Sequence, residues 1–373
     1  MRCGLPGLTR RGAARGAAAD DLTDAVRKAV GRLAHPRLDR PLAELGLVEG
    51  VEVHAGGDVT ISVWTLTPAG SSADPLLTLV EQAASRVDGI RGVEVRGQML
   101  EASGRAALAG RLRARNRRPG GLGSPTKVYA IASGKGGVGK SSLTANIAVA
   151  LVRSGQRVGV LDADVWGYSI PQLFGIREQP LAVKGMMLPV EAHGVRLMSI
   201  GFFVDDEQPV VWRGPMLQKA LEQFLDDVCW GDLDVLLVDL PPGTGDVPLT
   251  VLELLPDAAM LVVTTPQRAA EQVASRVGRM ALDARMPVAG VVENMSGGGF
   301  GAGGGDRLAQ TLGAPLLGRV PMDERMCQAG DIGVPLLVGS PEAPSAHAVS
   351  AVAAALPVVR RSLVGRSLPL FVD

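Results

Sequence analysis

The chain has 373 residues, enough for two domains with a substantial core. Its formal net charge is zero, so no global field draws it to nucleic acid or to an anionic membrane. Aromatic residues make up 3%, which leaves few stacking platforms for single-stranded nucleic acid, and no stretch of about 18 uncharged apolar residues reads as a membrane span.

Residues 1–19 carry Arg2, Arg10, Arg11 and Arg15 and no acid, and they lack the apolar centre of a secretory signal. They are expected to form a disordered tail. Residues 20–105 read as a small α/β domain. Leu22, Ala25, Val26, Ala29, Val30 and Leu33 recur at helical spacing within Asp21–Leu33. Val51–Val53 and Val59–Leu66 read as strands around a Gly56-Gly57-Asp58 turn, Asp74–Val87 as a helix and Gly92–Met99 as a third strand. Residues 106–126 place Arg111, Arg113, Arg115, Arg117 and Arg118 ahead of a Gly/Pro stretch, the pattern of a helix end and a flexible basic linker.

From 127 to 357 the pattern alternates. Apolar β-branched runs at 128–132, 157–161, 195–200, 235–238, 259–263, 288–292 and 316–320 predict strands. Helical spacing at 141–153, 216–228, 268–284, 306–312 and 345–356 separates most of them. This predicts an α/β fold with a mostly parallel sheet covered by helices on both faces, preceded by the small α/β domain. Functional sites in such sheets lie at the carboxyl ends of the strands. Residues 358–373 read as a C-terminal tail.

The first run of this domain leads into Gly134-Lys135-Gly136-Gly137-Val138-Gly139-Lys140-Ser141-Ser142. This is the G-x-x-x-x-G-K-S/T phosphate loop in its strand–loop–helix setting. Glycines let backbone N–H groups close around phosphate oxygens, Lys140 reaches β- and γ-phosphates, and Ser141 offers a hydroxyl to Mg²⁺ at a helix N-terminus. The next strand ends in Asp162-Ala-Asp164, two carboxylates spaced to face the same way, suited to hold Mg²⁺ through water or to orient an attacking water. The run 235–238 ends in Asp239, a Walker B acid for Mg²⁺, followed by Pro-Pro-Gly243-Thr-Gly, a rigid turn placed to sense a γ-phosphate.

Lys135 is not needed by an ordinary phosphate loop, and the string Lys-Gly-Gly-Val-Gly-Lys-Ser resembles the deviant Walker A of the MinD/ParA/Mrp class. Asp162-Ala-Asp164-Val-Trp-Gly-Tyr-Ser169-Ile-Pro171, Trp212-Arg213-Gly214-Pro215-Met216, the Asp239–Asp246 turn and Gly290-Val-Val-Glu293-Asn294-Met295-Ser296 resemble the Mrp/ApbC ATPases. The match covers about 127–357, and the N-terminal unit is similar to the iron–sulfur-assembly module of many members, through Leu45–Val48 and Gly92–Val95. The resemblance implies a cytoplasmic homodimeric ATPase that carries iron–sulfur clusters to apo-proteins and works with assembly factors, without nucleic acid or membrane partners. It implies that Lys135 reaches the partner's phosphates, that Asp164 orients the hydrolytic water, that Asn294 reads adenine and that Pro321 to Asp323 line the base pocket. ATP and Mg²⁺ are the implied cofactors, with a 4Fe–4S cluster as cargo.

The chain departs from the family at the cargo site. Relatives carry a Cys-x-x-Cys pair after Asn-Met-Ser; here Ser296–Gly305 holds no cysteine. The small domain reads Gly70-Ser71-Ser72 where Gly-Cys-Pro is usual, and His35-Pro36-Arg37 where Asp-Pro-Glu is usual. Cys3, Cys229 and Cys327 form no framework, which suits a cytoplasm, and they leave the cluster ligands unassigned. Two other functions remain open from the sequence: a MinD/ParA-type positioning ATPase, and a nucleotide-gated regulator that has lost cluster binding. Gly365 and Pro369 interrupt the basic, partly apolar tail Arg360–Asp373, which argues against a membrane-binding amphipathic helix there.

Overall fold

The structure is a computed structural model that describes residues 10–54, 56–67, 75–121, 124–164, 167–203 and 214–357. It divides into one unit of 1–115 with 182–188, and a second of 116–181 with 189–373.

In the first unit, α1 (Arg10–Gly31) and the short α2 (Leu42–Leu45) precede β1 (Val48–Val53), β2 (Asp58–Thr65), α3 (Pro75–Ser85), β3 (Gly92–Met99) and α4 (Ala102–Arg115). The sheet order is β1-β2-β3, with β1 antiparallel and β3 parallel to β2. A parallel return needs a crossover, and α3 supplies it. Val26 and Val30 of α1 and Leu76, Val80 and Ala84 of α3 fall one helical turn apart and are buried with Val59, Ile61 and Val63 of β2.

Two boundaries differ from the sequence expectation. Helix α1 begins at Arg10 and so takes in half of the expected tail, because Ala13, Ala14 and Ala17–Ala19 are the strongest helix formers. Helix α4 runs to Arg115 through ten residues of the expected linker. Leu108, Ala109 and Leu112 are buried, so these residues follow an apolar stripe rather than a flexible spacer.

The second unit holds an eight-stranded sheet. Its elements in order are β4 (Lys127–Ser133), α5 (Lys140–Arg153), β5 (Val158–Asp162), α6 (Ile170–Leu173), β8 (Val190–Ala192) and β9 (Val195–Ser199); between α6 and β8 the chain forms the hairpin β6 (Leu181–Val183) and β7 (Met186–Leu188), whose residues 182–188 belong to the first unit. Then come α7 (Gly214–Asp226), β10 (Val235–Asp239), α8 (Asp246–Leu254), β11 (Ala259–Thr264), α9 (Arg268–Asp283), β12 (Val288–Ser296), α10 (Gly304–Leu312), β13 (Leu316–Pro321), α11 (Glu324–Ile332), α12 (Leu336–Gly339) and α13 (Pro344–Ala354). The sheet order is β13-β12-β11-β4-β10-β5-β9-β8, with every pairing parallel except β8 to β9.

Alternate strand residues face opposite layers. Tyr129, Ile131, Val160, Leu237 and Leu261 join α5 and α13 in one apolar cluster, and α9 and α10 pack on β11 and β12. The central strand β4 ends at Ser133, between the ends of β10 and β11, and the phosphate loop leaves from there. Register sets the acids side by side: Asp239 pairs with Ile131 on one side and with Asp162 on the other, and Asp162 pairs with Ser199.

Candidate functional site

The loop from Gly134 to Gly139 joins β4 to the N-terminus of α5. Gly137 and Gly139 hold φ of 75° and 78°, a left-handed backbone that glycine adopts without strain. Gly134 is there for closeness: a Cβ on it would lie 2.3 Å from Ala274 N, in the backbone of α9. Together with Asp164, Gly167, Ser169, Pro241 and Pro242, the loop residues Lys135–Ser142 line a cavity of about 490 Å³. Its floor is the N-terminus of a 14-residue helix, whose orphan N–H groups favour an anion.

Beneath the loop the expected residues converge. Lys140 Nζ donates to Asp239 Oδ2 at 2.7 Å, and Ser141 Oγ donates to the same oxygen at 2.6 Å. Thr144 Oγ1, one turn after Lys140, donates to Asp239 Oδ1 at 2.7 Å. Asp164 Oδ2 lies 3.9 Å from Lys140 Nζ, and Asp164 Oδ1 accepts the Gly167 N–H at 3.0 Å. Asp162 is fully buried and accepts Ser199 Oγ at 2.9 Å and the Asp164 N–H at 3.1 Å. Burial, and then the charge of Asp239 beside it, push the Asp162 carboxyl up to about 8. Ser141 Oγ and the two acids form a hard oxygen donor set at a helix N-terminus, which fits Mg²⁺, and the glycine cradle fits a triphosphate.

A second cavity of about 510 Å³ adjoins the loop at Gly139 and Ser142. Asn294, Pro321 and Asp323, the residues expected to line a base pocket, all border this cavity, with Met295, Met322, Met326 and Cys327 among their neighbours. Asn294 is buried and its Nδ2 donates to Val138 O at 2.9 Å, which ties the end of β12 to the phosphate loop. Asp323 caps α11 through the Arg325 N–H, and Arg325 and Ser345 engage its carboxylate at 3.0 and 2.6 Å. Arg325 holds this carboxyl down at about 2. The side chain is therefore committed to the scaffold, and Asp323 serves the cavity as a wall.

Other expected residues stand as follows. Lys135 is exposed at the mouth of the loop. Gly243, with φ of 92°, donates its N–H to Ser133 O at 2.8 Å. Cys229 precedes β10 at its amino end, whereas Cys327 is exposed on α11 beyond the carboxyl end of β13. Among the described residues no cluster of three or more His, Cys, Asp or Glu gathers to hold a metal ion, and no helix is long and apolar enough to cross a membrane. Cys3, Val165-Trp166, Gly70-Ser71-Ser72, Trp212-Arg213 and the tail 358–373 lie outside the described residues.

Sequence reasoning gave no role to three side chains. Thr144 and Ser199 are fully buried hydroxyls that each hold one acid. The signal for Thr144 was its i,i+4 spacing from Lys140. Glu293, also fully buried, accepts Ser296 Oγ at 2.6 Å, the Gly303 N–H at 3.0 Å and the Gly305 N–H at 2.7 Å, and so pins the glycine-rich loop at both ends.

A mostly parallel sheet with this loop and these acids at its strand ends defines a P-loop nucleoside triphosphatase. Residues 124–357 match the model of the NUBPL iron-transfer P-loop NTPase family, and the chain belongs to that family. Residues 14–96 match a second model, that of an iron–sulfur cluster assembly protein. The iron–sulfur cluster carrier protein of Mycobacterium tuberculosis is 46% identical over 370 residues, covering 94% of this chain and 97% of the relative. That of Bacillus subtilis is 40% identical over 316 residues, covering 81% and 88%. An ADP-bound nucleotide-binding protein from Archaeoglobus fulgidus superposes with a TM-score of 0.50 at 33% identity, over 60% of this chain and 91% of the other. The cell division ATPase MinD of Pyrococcus furiosus, at 22% identity and a TM-score of 0.51 over 61% and 97%, shares the fold.

Proposed function

We propose that this chain is an ATP-hydrolysing carrier of iron–sulfur clusters, working as a cytoplasmic homodimer that passes its cargo to apo-proteins. The observation that carries the reading is the convergence of Lys140, Ser141 and Asp239 within 2.6–2.7 Å beneath a glycine cradle, with Asp164 at its wall. The cargo half rests on the family and on the second match over residues 14–96, since the relatives named above are carriers of such clusters.

The residues divide the work. Lys140 and the N–H groups of the loop meet the negative charge that grows on the phosphoryl oxygens. Lys135, exposed at the mouth, adds a positive charge from the partner subunit. Asp164 orients the attacking water. Mg²⁺, held by Ser141 with Asp239 and Asp162 behind it, would neutralise charge on the β- and γ-phosphates. In this scheme the Gly243 N–H exchanges Ser133 O for a γ-phosphate oxygen, which gives switch II two hydrogen-bonded positions. Asn294 and the cavity of Pro321 and Asp323 seat the base.

The test is anaerobic reconstitution with iron and sulfide, followed by measurement of bound iron and sulfide per dimer with and without ATP. A stoichiometric cluster that an apo-protein can take up is the expected result. Cys229→Ser and Cys327→Ser then report whether either thiol is a ligand. The cysteine-free loop Ser296–Gly305 favours a second reading, a nucleotide-gated regulator without cargo. Folded protein that hydrolyses ATP and stays colourless would establish that reading in place of the first.

A further inference from the structure

All three hydrogen bonds described to the side chain of Asp239 come from other side chains. Its carboxylate is fully buried at the end of β10 and receives three described side-chain donors. Two of them, the Lys140 ammonium and the Ser141 hydroxyl, meet on Oδ2. In the nucleotide chemistry above, both have other duties: Lys140 on phosphate oxygens and Ser141 on the cation. Any shift toward those duties draws them off Oδ2. The third donor has no such duty. Thr144 Oγ1 sits one turn deeper in α5, is fully buried, and meets Oδ1, the oxygen that Lys140 and Ser141 leave alone.

Thr144 carries one hydroxyl proton and two acceptors lie in reach: Asp239 Oδ1 at 2.7 Å and Lys140 O at 3.0 Å. The ionised carboxylate is the nearer and stronger acceptor, so the proton lies toward it. A bond to Oδ1 fixes the carboxylate plane and presents Oδ2 to the site. We infer that Thr144 is the positioning residue of Asp239: its buried hydroxyl keeps Oδ2 aimed at the Mg²⁺ position while Lys140 and Ser141 serve the nucleotide. The inference rests on the proposed ATPase reading and adds to it a residue outside the phosphate-loop motif.

The experiment compares the full-length parent with Thr144→Val, Thr144→Ala and Thr144→Ser. Two quantities are read: ATP turnover as a function of Mg²⁺ concentration, and equilibrium binding of a fluorescent ATP analogue with Mg²⁺ and with EDTA. Thr144→Val keeps the shape and removes the hydroxyl. It is expected to raise the Mg²⁺ concentration for half-maximal binding and turnover at least fivefold and to lower kcat about tenfold, with binding in EDTA within twofold of the parent. Thr144→Ser restores the hydroxyl and should bring the Mg²⁺ dependence back to within twofold. Thr144→Ala repeats the test with neither γ-methyl, so a poorly folded valine variant does not decide the matter. If both hydroxyl-free variants fold and show the parent's Mg²⁺ dependence, or if they lose binding equally in EDTA, the inference is overturned. A parent that binds the analogue with Mg²⁺ but turns over no ATP counts against the ATPase reading alone, and the binding curves still decide the role of Thr144.

Discussion

At the scale of single residues, the buried charges of the site each meet a named neighbour, and substitutions should separate binding from chemistry. Lys140→Ala removes both the proposed phosphate ligand and the cation paired with buried Asp239. ATP turnover is expected to fall about 10³-fold and nucleotide binding with it, as read by turnover and by titration of a fluorescent analogue. Asp164→Ala should behave differently, with turnover lowered at least ~100-fold and ATP binding within a few-fold of the parent. Hydrolysis at the parent rate in that variant would remove the water-orienting role. The sequence displayed Lys140, Ser141, Asp162, Asp164 and Asp239 because glycine spacing and strand ends mark them in one dimension. It did not display Thr144, Ser199 or Glu293. A hydroxyl on a buried helix turn has no signature until the strand it faces is known, and Glu293 reads as one more strand residue until the loop it pins has folded back over it.

Elements behave as their ends dictate. Asp323 caps α11, and its carboxyl is held at about 2 by Arg325, below the usual carboxylate range. A depressed carboxyl stabilises the folded state fully above the unfolded value and loses that contribution as pH falls toward 2. Asp323→Ala is therefore expected to lower stability by about 1 kcal/mol at neutral pH, with the gap to the parent closing below pH 4 in denaturant titrations. A constant gap down to pH 2 would show that the charge contributes nothing. Gly134→Ala drives a methyl into the backbone of α9 and should cost about 2 kcal/mol, along with nucleotide affinity, because loop and helix must part. Most of the sheet was legible because its strands are continuous apolar runs. The strands β6, β7 and β8 were not, since three residues are too few to show a period. The extent of α4 was less legible: alternating arginines mask Leu108 and Leu112, so the helix end runs further into the basic stretch than its composition suggests.

For the molecule as a whole, the proposed second copy makes a kinetic claim. Lys135→Ala should leave ATP affinity at low protein concentration unchanged and abolish the rise in specific turnover with concentration. A parent whose specific turnover is flat from nanomolar to tens of micromolar would end the trans-lysine proposal. The order of the strands has a further consequence, for synthesis. The central strand β4 carries the phosphate loop, yet its two neighbours β10 and β11 lie far along the chain, with Ile131 against Asp239 and against Leu261. A ribosome needs on the order of ten seconds to make that intervening stretch. Until those strands are made, both edges of β4 lack their partners, which leaves the nascent strand open to pairing with other chains. The loop that is easiest to find in the sequence is thus among the last parts of its domain to become functional.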